Sequence, residues 1–210
     1  MPRVNLVSRD KAPPEVSALY DQIFGASRDP VADPGTSTGT PGNWWTAWAN
    51  TPGILKAFSA FPMAEATLDP KLRELAILRT GYARASRFVF SQHCKAARSV
   101  GFTEEQVQAI KAWQVATCYS PIERAVLAYT DALVLERGRV PEGVFDALRA
   151  ELSDVEILEL TYITCTYHMH AIMSRALRLE YDDVDDPTTE VPAPADASND
   201  VMAAVDRAAE

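Results

Sequence analysis

The sequence predicts an all-α protein, and three observations carry that expectation. Capping boxes recur at Thr103/Gln106, Ser120/Glu123 and Ser153/Glu156, each pairing Ser or Thr with Glu or Gln three residues on. Prolines stand at first helical positions, as in Asp69-Pro70, where an N-cap precedes a residue whose missing N–H costs nothing. No convincing period-two run of apolar residues appears, and the β-branched residues fall inside helical windows.

The elements follow in order. Pro13 and Pro14 open a short amphipathic helix over 15–24, which Gly25 closes. Residues 27–42, rich in Pro and Gly with no apolar period, form a long loop that leads to Trp44, Trp45 and Trp48. A helix is expected over 52–61. Asp69 starts another that runs to about Arg84, and Ser86 caps the next, which stops at Gly101. Further helices are expected over 104–115, 121–136, 141–152 and 154–181. The last has apolar residues on more than one face and is expected to be buried nearly all round. The organisation is an N-terminal extension (1–62), a helical domain (63–181) and an acidic, flexible tail (182–210), with a helical turn possible over 201–209.

Charge excludes one class of function. The chain of 210 residues carries a formal charge of −9, but 182–210 hold nine acids against Arg207, leaving 20 acids and 19 bases before them. Without a basic excess or stripe, nucleic-acid binding lacks its electrostatic footprint. A chain this long buries roughly 70% of its unfolded surface and needs no disulfide or metal staple. Cys94, Cys118 and Cys165 are odd in number and widely spaced, which argues against a disulfide framework and for a reducing cytoplasm. No apolar run approaches the roughly 20 residues of a membrane helix, and the start lacks the pattern of a secretory signal.

The chemistry-bearing segment is 72–101. Ser86, Val89 and His93 lie at i, i+3 and i+7, on one helical face, and an antiparallel hairpin would return Glu74 toward His93. A carboxylate that fixes an imidazole makes a proton-transfer pair. The plainer reading is a satisfied core histidine. His168 and His170 diverge by about 200° on one helix, and no set of four ligands completes a metal site, so no metal is expected. His168 reads as a polar residue at a helix–helix interface. Trp44 and Trp45 either anchor the preceding loop or wall an apolar pocket for a flat ligand.

Glu74, eleven residues, Ser86-x-x-Val89, three residues, His93 and the closing Gly101 resemble the carboxymuconolactone decarboxylase and alkylhydroperoxidase-D family. In the peroxidase branch Cys-x-x-Cys stands where Ser86 and Val89 stand here. The decarboxylase branch reads Tyr-Glu-Trp-x-x-His, against Phe88-Val89-Phe90-Ser91-Gln92-His93 in this chain. The resemblance extends over 120–181. It implies an alkylhydroperoxidase-D-like helical domain, Glu74 and His93 as catalytic residues, and Ser86, Val89, Phe90 and His168 around the substrate, to which the aromatic reading adds Trp44 and Trp45. It also implies a homo-oligomer, a trimer or a hexamer.

Peroxide reduction needs an attacking thiolate and a resolving thiol, and Ser86 and Val89 supply neither. Cys94 lies about 100° round the helix from His93 and cannot substitute. What the resemblance then implies is a cofactor-independent lyase or isomerase acting on a small cyclic or conjugated acid, lactone or ketone. The alternatives are a ligand-binding or scaffold protein that retains the fold, and a residual redox protein using Cys94 or Cys165.

Overall fold

The structure is a computed structural model and describes residues 1–36, 42–58, 60, 61 and 63–179. The segment expected to be an acidic tail, with its terminal helical turn, lies outside the described residues, as does the tip of the Gly/Pro loop. The described residues form helices and connecting turns: α1 (Pro14–Phe24), α2 (Gly42–Trp48), α3 (Pro52–Phe58), α4 (Pro70–Ala83), α5 (Arg87–Ser99), α6 (Glu104–Ala109), α7 (Pro121–Val134), α8 (Glu142–Arg149) and α9 (Asp154–Leu177). The all-α expectation holds. Among the described residues no helix is long and apolar enough to cross a membrane.

They group into two compact units, one of 1–65 with 174–179 and one of 66–173. In the first, the Tyr20 hydroxyl donates to the Val7 carbonyl at 2.8 Å, and the Val7 N–H donates to the Thr46 carbonyl at 2.9 Å. Helix α2, absent from the sequence expectation, starts at Gly42. An added Cβ there would lie 2.3 Å from Pro34 Cβ, so only glycine permits that approach. Trp44, Trp48 and Phe58 pack ring against ring with centroids 5.1–5.7 Å apart.

In the second unit the central helix is α4. Leu72 and the whole run Glu74–Gly81 are buried, polar residues included. It packs on α5, on α7 and on the 3-10 turns of 110–115. The caps form as expected. Asp69 accepts from the Lys71 N–H at 2.6 Å, Ser86 from Val89, Thr103 from Gln106 and Ser120 from Glu123.

Three expectations fail. The helix expected over 104–115 ends at Ala109, and Ala112 leaves the helical region (φ −135°, ψ 40°). Guanidinium groups take the carbonyls there: Arg79 bonds Ile110 O, and Arg124 bonds the carbonyls of Trp113, Gln114 and Ala116. Helix α9 stops at Leu177, where Arg178 turns into the left-handed region (φ 53°) and the Leu179 N–H reaches the Ser174 carbonyl at 2.9 Å. Nor is α9 buried all round. One face, with Ile157, Leu160, Ile163, Thr164 and Ala171, is inside, while Val155, Leu158, Tyr162, Met169 and Ile172 are exposed.

Candidate functional site

The site is built on the α4–α5 hairpin. Its link is three residues long, with Ala85 at φ 49° and the Ser86 N–H bonded to the Gly81 carbonyl at 2.9 Å. Gly81 sits where the two helices press together, so that an added Cβ would stand 2.8 Å from Phe90 N and 2.9 Å from Phe90 Cα. Through this close approach Glu74 on α4 meets His93 on α5, with His93 Nδ1 2.7 Å from Glu74 Oε2. Both are buried, at 1% and 5% exposure. The second carboxylate oxygen faces Arg73 Nε at 3.5 Å. A carboxylate against Nδ1 fixes the proton there and leaves Nε2 to exchange protons with a ligand.

Helix α9 completes the surroundings. The rings of His93 and Tyr167 meet edge to face with centroids 4.7 Å apart, and Tyr167 in turn contacts the His170 ring at 5.3 Å. Burial, then the neighbouring His93, push the His170 pKa down to about 4. Unfolded, it titrates near 6.5, so the unfolded chain binds the extra proton first as pH falls. This histidine therefore lowers stability progressively from pH 6.5 down to about 4. We expect His170→Phe to flatten that part of the Tm-against-pH curve. An unchanged slope would show that His170 is protonated in the folded protein.

The remaining residues singled out from sequence have these places. Ser86 is fully buried and its hydroxyl oxygen accepts the Val89 N–H at 3.3 Å, so it caps α5. Val89 lies against the Gly81 position, and Phe90 packs on Tyr82 with centroids 6.0 Å apart. Trp44 and Trp45 are buried in the first unit, where the packing of Trp44 on Trp48 and Phe58 is that of a loop anchor. His168 lies elsewhere. It lines a separate cavity of about 310 Å³ with Cys165, Leu133, Val134, Arg137 and Gly138. Tyr167 and His170, not His168, stand at His93.

Sequence reasoning passed over Tyr167 although a signal existed: residues 160, 164, 167, 171 and 174 repeat at helical spacing, while 168 and 170 flank that stripe on its two sides. Cys94 is buried, and Cys118 and Cys165 are also free thiols. Burial, the first cause in each case, raises the pKa of both Cys118 and Cys165, opposite to what a reactive thiolate needs. Among the described residues no three His, Cys, Asp or Glu side chains converge as a metal site.

Residues 52–132 match the model of the Carboxymuconolactone decarboxylase family. The uncharacterized protein YdfG of Bacillus subtilis (strain 168) is 26% identical over 100 residues, which span 47% of this chain and 68% of YdfG. An uncharacterized peroxidase-related protein from Ralstonia eutropha JMP134, an alkylhydroperoxidase AhpD core, superposes with a TM-score of 0.69 at 17% identity, covering 87% of this chain and 93% of that one. The debrominase Bmp8 in complex with 2,3,4-tribromopyrrole gives 0.64 at 17% identity, covering 88% and 92%. A protein of unknown function from Agrobacterium tumefaciens, suggested to be the antioxidant defence protein AhpD, gives 0.59 at 25% identity, covering 65% and 96%. The fold is AhpD-like.

Proposed function

From the match of residues 52–132 to the Carboxymuconolactone decarboxylase family model, we propose a cofactor-independent lyase or isomerase. Its substrate is a small cyclic or conjugated acid, lactone or ketone, and its chemistry is proton transfer by His93. The carrying observation is the buried His93–Glu74 contact of 2.7 Å. Glu74 holds Nδ1 and stabilises the imidazolium, and Nε2 delivers or removes the proton. In the lyase case the C–C bond to the carboxylate breaks, CO2 leaves, and the electron pair passes into the conjugated system as a dienolate. His93 then protonates the carbon. In the isomerase case the same nitrogen removes a proton from one carbon and returns it to another.

Val89 makes that side of the site apolar and suits a less charged ligand than a dicarboxylate. Tyr167 joins the proposed site through its ring contact with His93, and His170 through its ring contact with Tyr167; Ser86 is assigned to holding α5 rather than to the substrate. The reading includes a cytoplasmic setting, in keeping with three free thiols, a small-molecule substrate, and a homo-oligomer. Bmp8, which shares the fold, binds a small heteroaromatic ring, in keeping with the ligand size.

The test is turnover across a panel of small cyclic acids, lactones and ketones. On whichever compound the wild type converts, His93→Ala and Glu74→Gln should lower kcat by about 100-fold or more, as general acid–base groups do. Turnover within about threefold of wild type in both variants overturns the proposal. The burial of both side chains favours a second reading, a ligand-binding protein without catalysis. Saturable binding of a panel compound with no conversion by the wild type would establish it instead.

A further inference from the structure

The unit of 66–173 has a second concavity, none of whose lining residues belongs to the proposed acid–base chemistry. It is the cavity of about 310 Å³ lined by Leu133, Val134, Arg137, Gly138, Cys165 and His168. That is the lower end of the roughly 300–1,000 Å³ that small-molecule sites occupy. Two elements build it. Cys165 and His168 stand three apart on α9 and so share one face. Beyond the end of α7 the chain turns through Arg137 and Gly138, both in the left-handed region (φ 59° and 80°), and the Gly138 N–H returns to the Ala132 carbonyl at 3.0 Å. An arginine at such a φ is strained where a glycine would not be, and it is a guanidinium that this turn brings to the cavity.

The charges around it are one-sided. Among the described residues no acid lines the cavity. Arg137 forms no ion pair among them either, whereas Arg9, Arg28, Arg79 and Arg98 each hold a carboxylate. A second guanidinium, Arg84, is near enough to His168 to add to what burial does, which is to hold that imidazole below its usual 6.5. At neutral pH His168 is therefore uncharged and still has an N–H to donate. The Arg84 Nε is buried without a hydrogen-bond partner. That condition is rare in native folds, and a bound ion or molecule is one of its explanations. The rest of the lining, Leu133, Val134 and Cys165, is apolar.

We propose that this cavity is a second ligand site, for a small organic monocarboxylate whose acid group meets Arg137 and His168 and whose apolar body lies against Leu133, Val134 and Cys165. A guanidinium offers two parallel N–H groups that match a planar carboxylate. His168 donates a further bond, and the charge of Arg84 favours an anion over a neutral or cationic ligand of the same shape. Inorganic phosphate suits the cavity less, because it is strongly hydrated and the apolar wall returns nothing for the water it would lose. The negative end of the α7 dipole also lies here. Its effect is confined to the last turn, and Arg137 itself offsets it. The site goes beyond the proposed function and shares no residue with it.

Cys165 supplies the readout, because its thiol is exposed and lines the cavity. The probes are benzoate, benzamide as its neutral counterpart, and inorganic phosphate. Each is added to the full chain before N-ethylmaleimide, and mass spectrometry follows alkylation at each cysteine. With a Kd of about 1 mM, modest even for so small a ligand, about 10 mM benzoate should slow alkylation of Cys165 about tenfold and leave Cys118 unchanged. Benzamide and phosphate should leave both unchanged. Arg137→Gly should abolish the protection and keep the Tm, since glycine relieves the strained φ. Arg84→Gln should weaken the protection about threefold, and it carries the test if the first variant loses Tm. No protection by benzoate, equal protection by benzamide or by phosphate, or undiminished protection in a folded arginine variant would each overturn the proposal. His93→Ala should be protected as the wild type is, so this site is decided separately from the acid–base chemistry.

Discussion

Asp131→Ala is expected to destabilise the protein by about 3 kcal/mol, the cost of stranding a buried guanidinium. Asp131 on α7 grips Arg79 on α4 with two bonds, 2.6 Å to Nε and 3.0 Å to Nη2. Its second oxygen also accepts the Trp113 indole N–H at 2.9 Å. Arg79 is 5% exposed and its remaining nitrogen donates to Ile110 O at 3.0 Å, so no solvent replaces the lost carboxylate. Removing both charges is a different matter, because an ion pair swapped for apolar groups of similar volume loses no compensated charge. Arg79→Met/Asp131→Leu should therefore recover at least half of the loss. Urea unfolding measures both. A cost below about 1 kcal/mol for Asp131→Ala would mean that the guanidinium finds water or another partner in the folded state.

Gly81→Ala is the second large effect, and it reaches the candidate site. The new methyl would meet Phe90 N and Phe90 Cα at 2.8 and 2.9 Å, main-chain atoms that cannot swing aside as a side chain can. Helices α4 and α5 must separate, at about 1–3 kcal/mol for overpacking of this kind. For a chain of this size that is a fall of roughly 2–12 °C in Tm. The helices that separate are the ones carrying Glu74 and His93, whose 2.7 Å contact leaves no slack. Turnover measured well below the lowered Tm should fall along with stability. A substitution of the same size away from the hairpin, at the exposed Gly143 of α8 where nothing lies within 4 Å of an added Cβ, should leave turnover unchanged and not lower Tm. Wild-type Tm in Gly81→Ala would show that the hairpin relaxes without penalty.

The helices were legible because their signals are local. Asp69, Thr103, Ser120 and Ser153 each bond backbone within three residues, so the sequence around each suffices to place a helix start. Helix α2 lacked any such signal. Its start depends on Gly42 meeting Pro34 across a loop, a contact with no local trace. The break after Ala109 is of the same kind, since the carbonyls beyond it are taken by arginines from other helices, Ile110 O by Arg79 on α4 and Trp113 O by Arg124 on α7.

By itself the sequence determined the all-α class, most helix starts, and the spacing that returns Glu74 toward His93. Those follow from caps and from the 3.6-residue turn, which act within one or two helical turns. Only the tertiary structure decided which helix lies at the centre and which histidine joins His93. Apolar content pointed to α9 as the buried helix, yet α4, with Glu74, Arg79 and Thr80 in it, holds that place. A polar side chain enters a core when another element supplies its partner, as His93 does for Glu74 and Asp131 for Arg79. That pairing belongs to the packing of helices, and for the same reason α9 shows His170 to His93 and keeps an apolar row facing outward.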